Sequence, residues 1–351
     1  MYRIAASCLL TALLVTALIT GCEPESVSGD DEEQQGEWRL EIIDDGGNVG
    51  RAPAVALDEN GCPHVAYCSV DPPELRYARR TNGYWNYGCL VSIGLSQGTS
   101  IAVDDGLPFI AYIGGGLSYL YWGGDDWKTE TVDRACNCPS LVRDDAGAAH
   151  IAYQDPTAYD LKCARQTAMG WELEILDIEG LTGFYTSLGL DSAGRPCIAY
   201  HRRDSDEVKL AVYDGNDWTS EVVDEGTVCD LAVDDRDGLH LAYYAYPERV
   251  LLYAYNDGGG WQFETIDEQM GNYGIGIDID VTSEGEPRVA YIDADRGLLN
   301  YAFPRGDGWA VSVADSDSVP DCFVALAVDG QDRPHIVYRS DNSLRYAIKD
   351  Q

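Results

Sequence analysis

Phenylalanine and methionine are scarce in this chain of 351 residues: five and three of them, against 23 Tyr and 37 Gly. A helical protein draws its core largely from Leu, Met and Phe, whereas this bias supplies strands and the turns between them. Basic residues are short as well. The 24 Lys and Arg face 60 Asp and Glu, for a formal net charge of −36. A field of that sign repels nucleic acid and anionic membrane surfaces, because both are held by cations that neutralise phosphate. Cationic partners and divalent metals remain compatible with it. No cofactor motif is present, and Cys136 and Cys138 form a C-x-C with no second cluster at zinc-ligand spacing. The longest apolar run, Ile4 to Ile19, is shorter than the ~20 residues a bilayer-spanning helix needs.

That run follows a single Arg3 and ends in Ile19, Thr20, Gly21 and Cys22, so residues 1–21 read as a signal peptide. The I-T-G-C end resembles the lipobox of bacterial lipoproteins. The resemblance implies cleavage before Cys22 and acylation of its new N-terminus, with a place in the bacterial cell envelope at the outer membrane. Residues 22–37 are acidic and nearly free of apolar side chains, which suits a disordered tether. Nine further Cys lie in the mature chain. Export permits disulfides, but an odd number leaves one thiol over, and the pairing cannot be read from spacing.

Residues 38–351 are built from seven repeats. Trp38, Trp85, Trp127, Trp171, Trp218, Trp261 and Trp309 recur every 42 to 48 residues, and most open a W-x-x-E-x-x-D segment with the look of a half-buried strand. Each unit then carries an apolar strand, an Asp/Gly turn and a second strand closed by Tyr67, Tyr112, Tyr153, Tyr200, Tyr243, Tyr291 or Tyr338. An L-x-Y-A strand follows, as at Leu75 to Ala78. Four short strands repeated seven times predict an all-β, seven-bladed β-propeller. The chain opens with a lone Trp-type strand and stops after three strands of the last unit, so the N-terminal strand is expected to complete the last blade. Closure leaves no open edge, and a monomer is expected.

These repeats, with their L-D-x-x-G-x-P-H-[IV]-A-Y segments, resemble bacterial propellers of the sialidase-like or BNR-type superfamily. The resemblance implies the architecture. It stops short of sialidase chemistry, because Asp191 and Gly194 have two residues between them where the sialidase Asp-box, S-x-D-x-G-x-x-W, has one.

Two sets of side chains draw the search for a site. His64, His150, His240 and His335 each lie six residues after a turn Asp, a repetition that fits a structural hydrogen bond better than a metal ring. His201 is the exception: it stands alone after Tyr200, with Arg202 and Arg203 behind it. It is expected in the loop after the second strand, on the rim where Tyr185, Asp230, Tyr244, Asp293 and Arg339 should converge with it around the axis. Such a rim predicts a non-enzymatic module that binds an envelope protein or glycan. The alternative implied by the resemblance is a carbohydrate-active enzyme such as a polysaccharide lyase, with His201 as base or acid, Tyr185 or Tyr244 as its partner and Arg202 facing the uronate. The stretches Asp204 to Asp206 and Asp315 to Asp321 are acidic enough for Ca²⁺ but lack EF-hand spacing. Replacing Cys22 with Ser should shift the protein from the detergent-extractable membrane fraction to the soluble fraction. A mutant retained in membranes would contradict lipid anchoring.

Overall fold

The computed structural model describes residues 37–94, 98–268, 270–271, 276–317 and 320–349, with the side chains of 320–322 left aside. Residues 1–36, on which the expected signal peptide, the expected lipidation at Cys22 and all but the last residue of the expected tether fall, lie outside the described residues. The rest forms seven four-stranded antiparallel sheets, the blades. Blades 1 to 6 span residues 51–92, 99–133, 137–177, 184–225, 227–267 and 277–315, each running from an inner strand outward in chain order. Blade 7 joins residues 320–349 to the N-terminal strand Trp38–Asp44, which pairs with Ser343–Lys349. The last blade is thus closed by the first strand, as the repeat offset predicts.

Period two alone would put Trp, at the first place of W-x-x-E-x-x-D, and Asp, at the seventh, on one face of the outer strand. The structure corrects this. A register shift falls between the fifth and seventh places of every outer strand, as between Ile42 and Asp44 or Thr131 and Asp133. The extra residue turns the Asp to the opposite face, toward the next blade. There the Asp accepts the phenol of that blade's second-strand tyrosine: Tyr67 to Asp44 at 2.7 Å, Tyr153 to Asp133 at 2.7 Å, Tyr200 to Asp177 at 2.6 Å, Tyr291 to Asp267 at 2.8 Å, Tyr338 to Asp315 at 2.5 Å, and Tyr243 to Asp224. Arg76, Lys162 and Lys209 add a cation to three of these bonds. Burial works against charge on Asp177, but Lys209 and Tyr200 outweigh it and hold the carboxyl below its usual range.

Farther out, the Glu of each outer strand accepts the indole N–H of the next blade's Trp at 2.8–2.9 Å in five interfaces, and Trp38 donates to Ser312 in a sixth. Near the axis a side chain of one inner strand accepts a backbone N–H of the next. Ser100 takes Leu141, Ser140 takes Leu188, Ser187 takes Leu231 and Asp230 takes Ile279.

Blades 1 and 2 meet without any of the three. Ala54, Gly88 and Val91 stand where other blades carry the axial acceptor, the Glu and the Asp. The core of this interface is an apolar cluster of Leu75, Ile110, Tyr112 and Leu120 with Val91 and Trp127 packed on it, and the Thr99 hydroxyl donates across it to the Ala52 carbonyl. Val91→Asp should therefore raise the melting temperature by giving Tyr112 the carboxylate acceptor that its six counterparts have, a bond worth about 1–2 kcal/mol. Asp267→Val at a latched interface should lower it. A fall with Val91→Asp in a melting experiment would show that the seam is already satisfied.

The axial carboxylates carry a pH dependence. Burial, and then the neighbouring Asp230, push the Asp278 carboxyl well above its usual range, and burial raises Asp280 to about 6. A carboxyl whose folded pKa exceeds the unfolded value of ~3.9 keeps its proton longer in the native state. Its cost is therefore absent below pH ~4, grows as pH rises toward the raised value, and is complete above it. Asp278→Asn, which removes the charge and keeps an acceptor for Leu326, should raise the melting temperature at pH 7.5 and leave it nearly unchanged at pH 4. An equal effect at both values would sink the account.

Candidate functional site

The rim where inner strands begin and second strands end holds a cleft of about 950 Å³ at the mouth of the central channel. Blade 4 supplies its most polar wall. Phe184 and Tyr185 open the inner strand, His201 lies beside them in the strand Pro196–Arg202, and Phe184 pairs with His201 across the ladder. His201 is thus a strand residue, where the sequence suggests a loop. Its ring lies 6.3 Å from Phe184 and 6.2 Å from Tyr185, centroid to centroid. Arg203 sets its guanidinium 5.5 Å over the Phe184 ring, and Tyr246 is a further exposed ring on the wall.

His201 is only 4% exposed, yet neither ring nitrogen has a hydrogen-bond partner. The nearest carboxylate oxygen, on Asp206, is 3.6 Å from Nε2, beyond a hydrogen bond. Burial holds the imidazole below its ordinary pKa, with Asp206 pulling the other way. A neutral ring at pH 7 has one nitrogen that accepts and one that donates. His201 borders a cleft lined also by Thr99, Thr186 and Thr227, two Cys and five Phe or Tyr rings.

Of the expected rim set, the structure brings His201, Tyr185 and Tyr244 to the cleft. Tyr244 is buried and its hydroxyl is committed to the Gly271 carbonyl at 3.0 Å. The other four do not line it. Arg202 turns away to Asp204 and Glu207, because successive side chains of a strand point to opposite faces, and Arg203 enters instead. Asp230 is an axial staple between blades 5 and 6. Asp293 is buried against Arg296. Arg339 is buried near the ring closure, bonded to the Val49 carbonyl, Asn48 and Asn342. Tyr246 and Arg203 are the residues that sequence reasoning passes over; adjacency to Tyr244 and His201 was the available signal.

The repeated histidines lie on the opposite rim. His150, His240 and His335 each contact the turn Asp six residues earlier at 3.0–3.2 Å, and Tyr77, Tyr253 and Tyr346 bond the Nδ1 of His64, His240 and His335 at 2.7 Å. The turn carboxylates Asp58, Asp144, Asp234 and Asp329 also accept local backbone N–H groups. Among the described residues no group of three or more His, Cys, Asp or Glu is arranged to hold a metal ion. Asp204 accepts from Leu181 N and Arg202, and the stretch Asp315 to Asp321 lies partly outside the described residues. Cys62, Cys89, Cys136, Cys138, Cys163, Cys197 and Cys229 are in no disulfide.

No protein-family model and no curated protein matches this sequence. Solved structures match in fold. An inactive virginiamycin B lyase from Staphylococcus aureus with quinupristin is similar at a TM-score of 0.63 and 9% identity, covering 90% of this chain and 100% of that one. An ulvan lyase of polysaccharide lyase family 25 is similar at 0.63 and 12% identity, covering 88% and 95%. A fucose-specific lectin from Aleuria aurantia is similar at 0.51 and 14% identity, covering 77% and 96%. At these identities what the chain shares with them is its architecture, the β-propeller.

Proposed function

We propose that this protein is a carbohydrate-binding propeller that takes its ligand in the cleft over His201. The observation that carries the reading is the imidazole itself, nearly inaccessible, with two unpaired nitrogens and with the rings of Phe184 and Tyr185 beside it at the cleft wall. A buried polar group without a partner is costly unless a ligand or an ordered water completes it. A pyranose offers both things this wall lacks: hydroxyls that give and take hydrogen bonds, and a C–H face that covers an aromatic ring. The half-exposed Tyr185 and Tyr246 are open to such stacking. The net charge of −36 disfavours polyanionic ligands, with Arg203 as a local exception. The lipid anchor expected at Cys22 would place this cleft at the envelope surface.

A second reading, a polysaccharide lyase, draws support from the same histidine. A neutral imidazole with a bare nitrogen is competent as a base, and Tyr185, whose ring lies 6.2 Å from it, is the candidate acid. The lyases of like fold include one whose inactive form carries a histidine-to-alanine substitution.

Binding of the full-length protein to an array of neutral, uronate-bearing and sulfated oligosaccharides tests both, followed by ultraviolet detection of unsaturated products. For a binding module, His201→Ala should weaken retention at least tenfold, and the wild type should release no product. For a lyase, His201→Ala should still bind but turn over ~10²–10⁴ more slowly. A wild-type protein that retains and cleaves none of these sugars would overturn the carbohydrate reading.

A further inference from the structure

Four inner strands carry as their second residue one in the left-handed region that is not glycine: Ala52 at φ 43°, Cys138 at 48°, Tyr185 at 51° and Val228 at 25°. All four sit inside register shifts of the inner ladder, and all four line the cleft. The conformation crowds any Cβ, most of all a β-branched one, so Val228 is the extreme case. Glycine would take it without strain. On the opposite rim the left-handed turn position after the inner strand is glycine in four blades, at Gly61, Gly147, Gly194 and Gly285, and aspartate, which tolerates that conformation, in two, at Asp237 and Asp332.

The strained peptides are held from outside. The Thr99 hydroxyl donates to the Ala52 carbonyl at 2.5 Å, the Thr186 hydroxyl to the Cys138 carbonyl, and the Cys229 thiol to the Tyr185 carbonyl at 3.6 Å. Each donor belongs to the following blade, so the ring itself enforces the bulges. Strain of this kind persists where the surroundings over-determine it, and it gathers at binding and catalytic sites. The distribution is uneven around the mouth. Cys138, Tyr185 and Val228 come from three consecutive blades, while blades 1 and 2 contribute the small Ala52, Pro53, Gly98 and Thr99 across the cleft. His201 sits behind the bulky arc, under Tyr185.

Resting on the reading of the cleft as a carbohydrate site, we propose that Cys138, Tyr185 and Val228 are its specificity-determining residues. The bulge turns each side chain into the mouth, and the chain accepts left-handed strain there because glycine would present nothing to the ligand. Tyr185 supplies the ring against which a sugar face lies, Val228 and Cys138 set the width of the slot on either side of it, and the small wall of blades 1 and 2 leaves the way in.

The test pairs two substitutions at each of two positions in the full-length protein: Tyr185→Gly with Tyr185→Ala, and Val228→Gly with Val228→Ala. Thermal melts are read beside retention on the same oligosaccharide array. Each Gly variant should melt about 1–3 °C above its Ala counterpart, because only Ala keeps a strained Cβ. Neither Tyr185 variant should melt far below wild type, since the ring is half exposed. Both should lose at least tenfold in retention of the sugars that wild type holds, and the Val228 variants should broaden the set retained. Gly variants that melt several degrees below the wild type would show that these side chains are structural, and would overturn the proposal whatever the array reports. Variants that retain the wild-type sugars with unchanged strength and selectivity would overturn it while leaving the carbohydrate reading in place. A wild-type protein that retains nothing would remove both.

Discussion

The ring is held by a buried phenol–carboxylate bond repeated between blades. A tyrosine near the end of each second strand is almost wholly sealed from water, and an unsatisfied hydroxyl there would cost much of what its ring contributes. The neighbouring blade's Asp satisfies it, and can do so only because a one-residue bulge in the outer strand turns that Asp to the correct face. Placement of one blade therefore fixes the tilt of the next. The Trp–Glu pairs at the perimeter and the Ser or Asp acceptors at the axis lock the same relation at two other radii.

This arrangement leaves the two rims in opposite conditions. On the histidine rim the turn carboxylates collect backbone N–H groups, and the imidazoles of His240 and His335 bridge carboxylates to tyrosines of the third strands, while the Nε2 of His64 stands 3.5 Å from Asp58. On the other rim the bookkeeping is left open. The His201 nitrogens have no hydrogen-bond partner, four inner-strand residues other than glycine are held in a left-handed conformation, and exposed rings stand beside them. The interface that lacks all three locks, between blades 1 and 2, forms the small-residue wall of the same cleft. A well-latched arc of blades 3 to 5 thus faces a wall held by apolar packing and the Thr99 hydroxyl on the Ala52 carbonyl.

Much of this was legible in the amino-acid order. Seven Trp at near-constant spacing, seven second-strand Tyr and a displaced first strand determined the number of blades, their four strands and the closure of the last by the first, because a repeat that cannot bury its own faces must stack on its neighbours. The structural role of the repeated histidines followed from their fixed distance to a turn Asp. His201 stood out as the one histidine off that pattern. What only the tertiary structure decided is the direction in which side chains point. Spacing reports alternation along an ideal strand, and a bulge reverses it, as at Asp44, or turns a side chain into the mouth, as at Tyr185. The same blindness exchanged Arg202 for Arg203 and placed Asp230, Asp293 and Arg339 outside the cleft, since distance from the axis and the facing blade are set by packing between repeats separated by some 45 residues of sequence. Backbone strain is invisible to sequence for the same reason: φ at Val228 is imposed by the adjoining strands, not by valine.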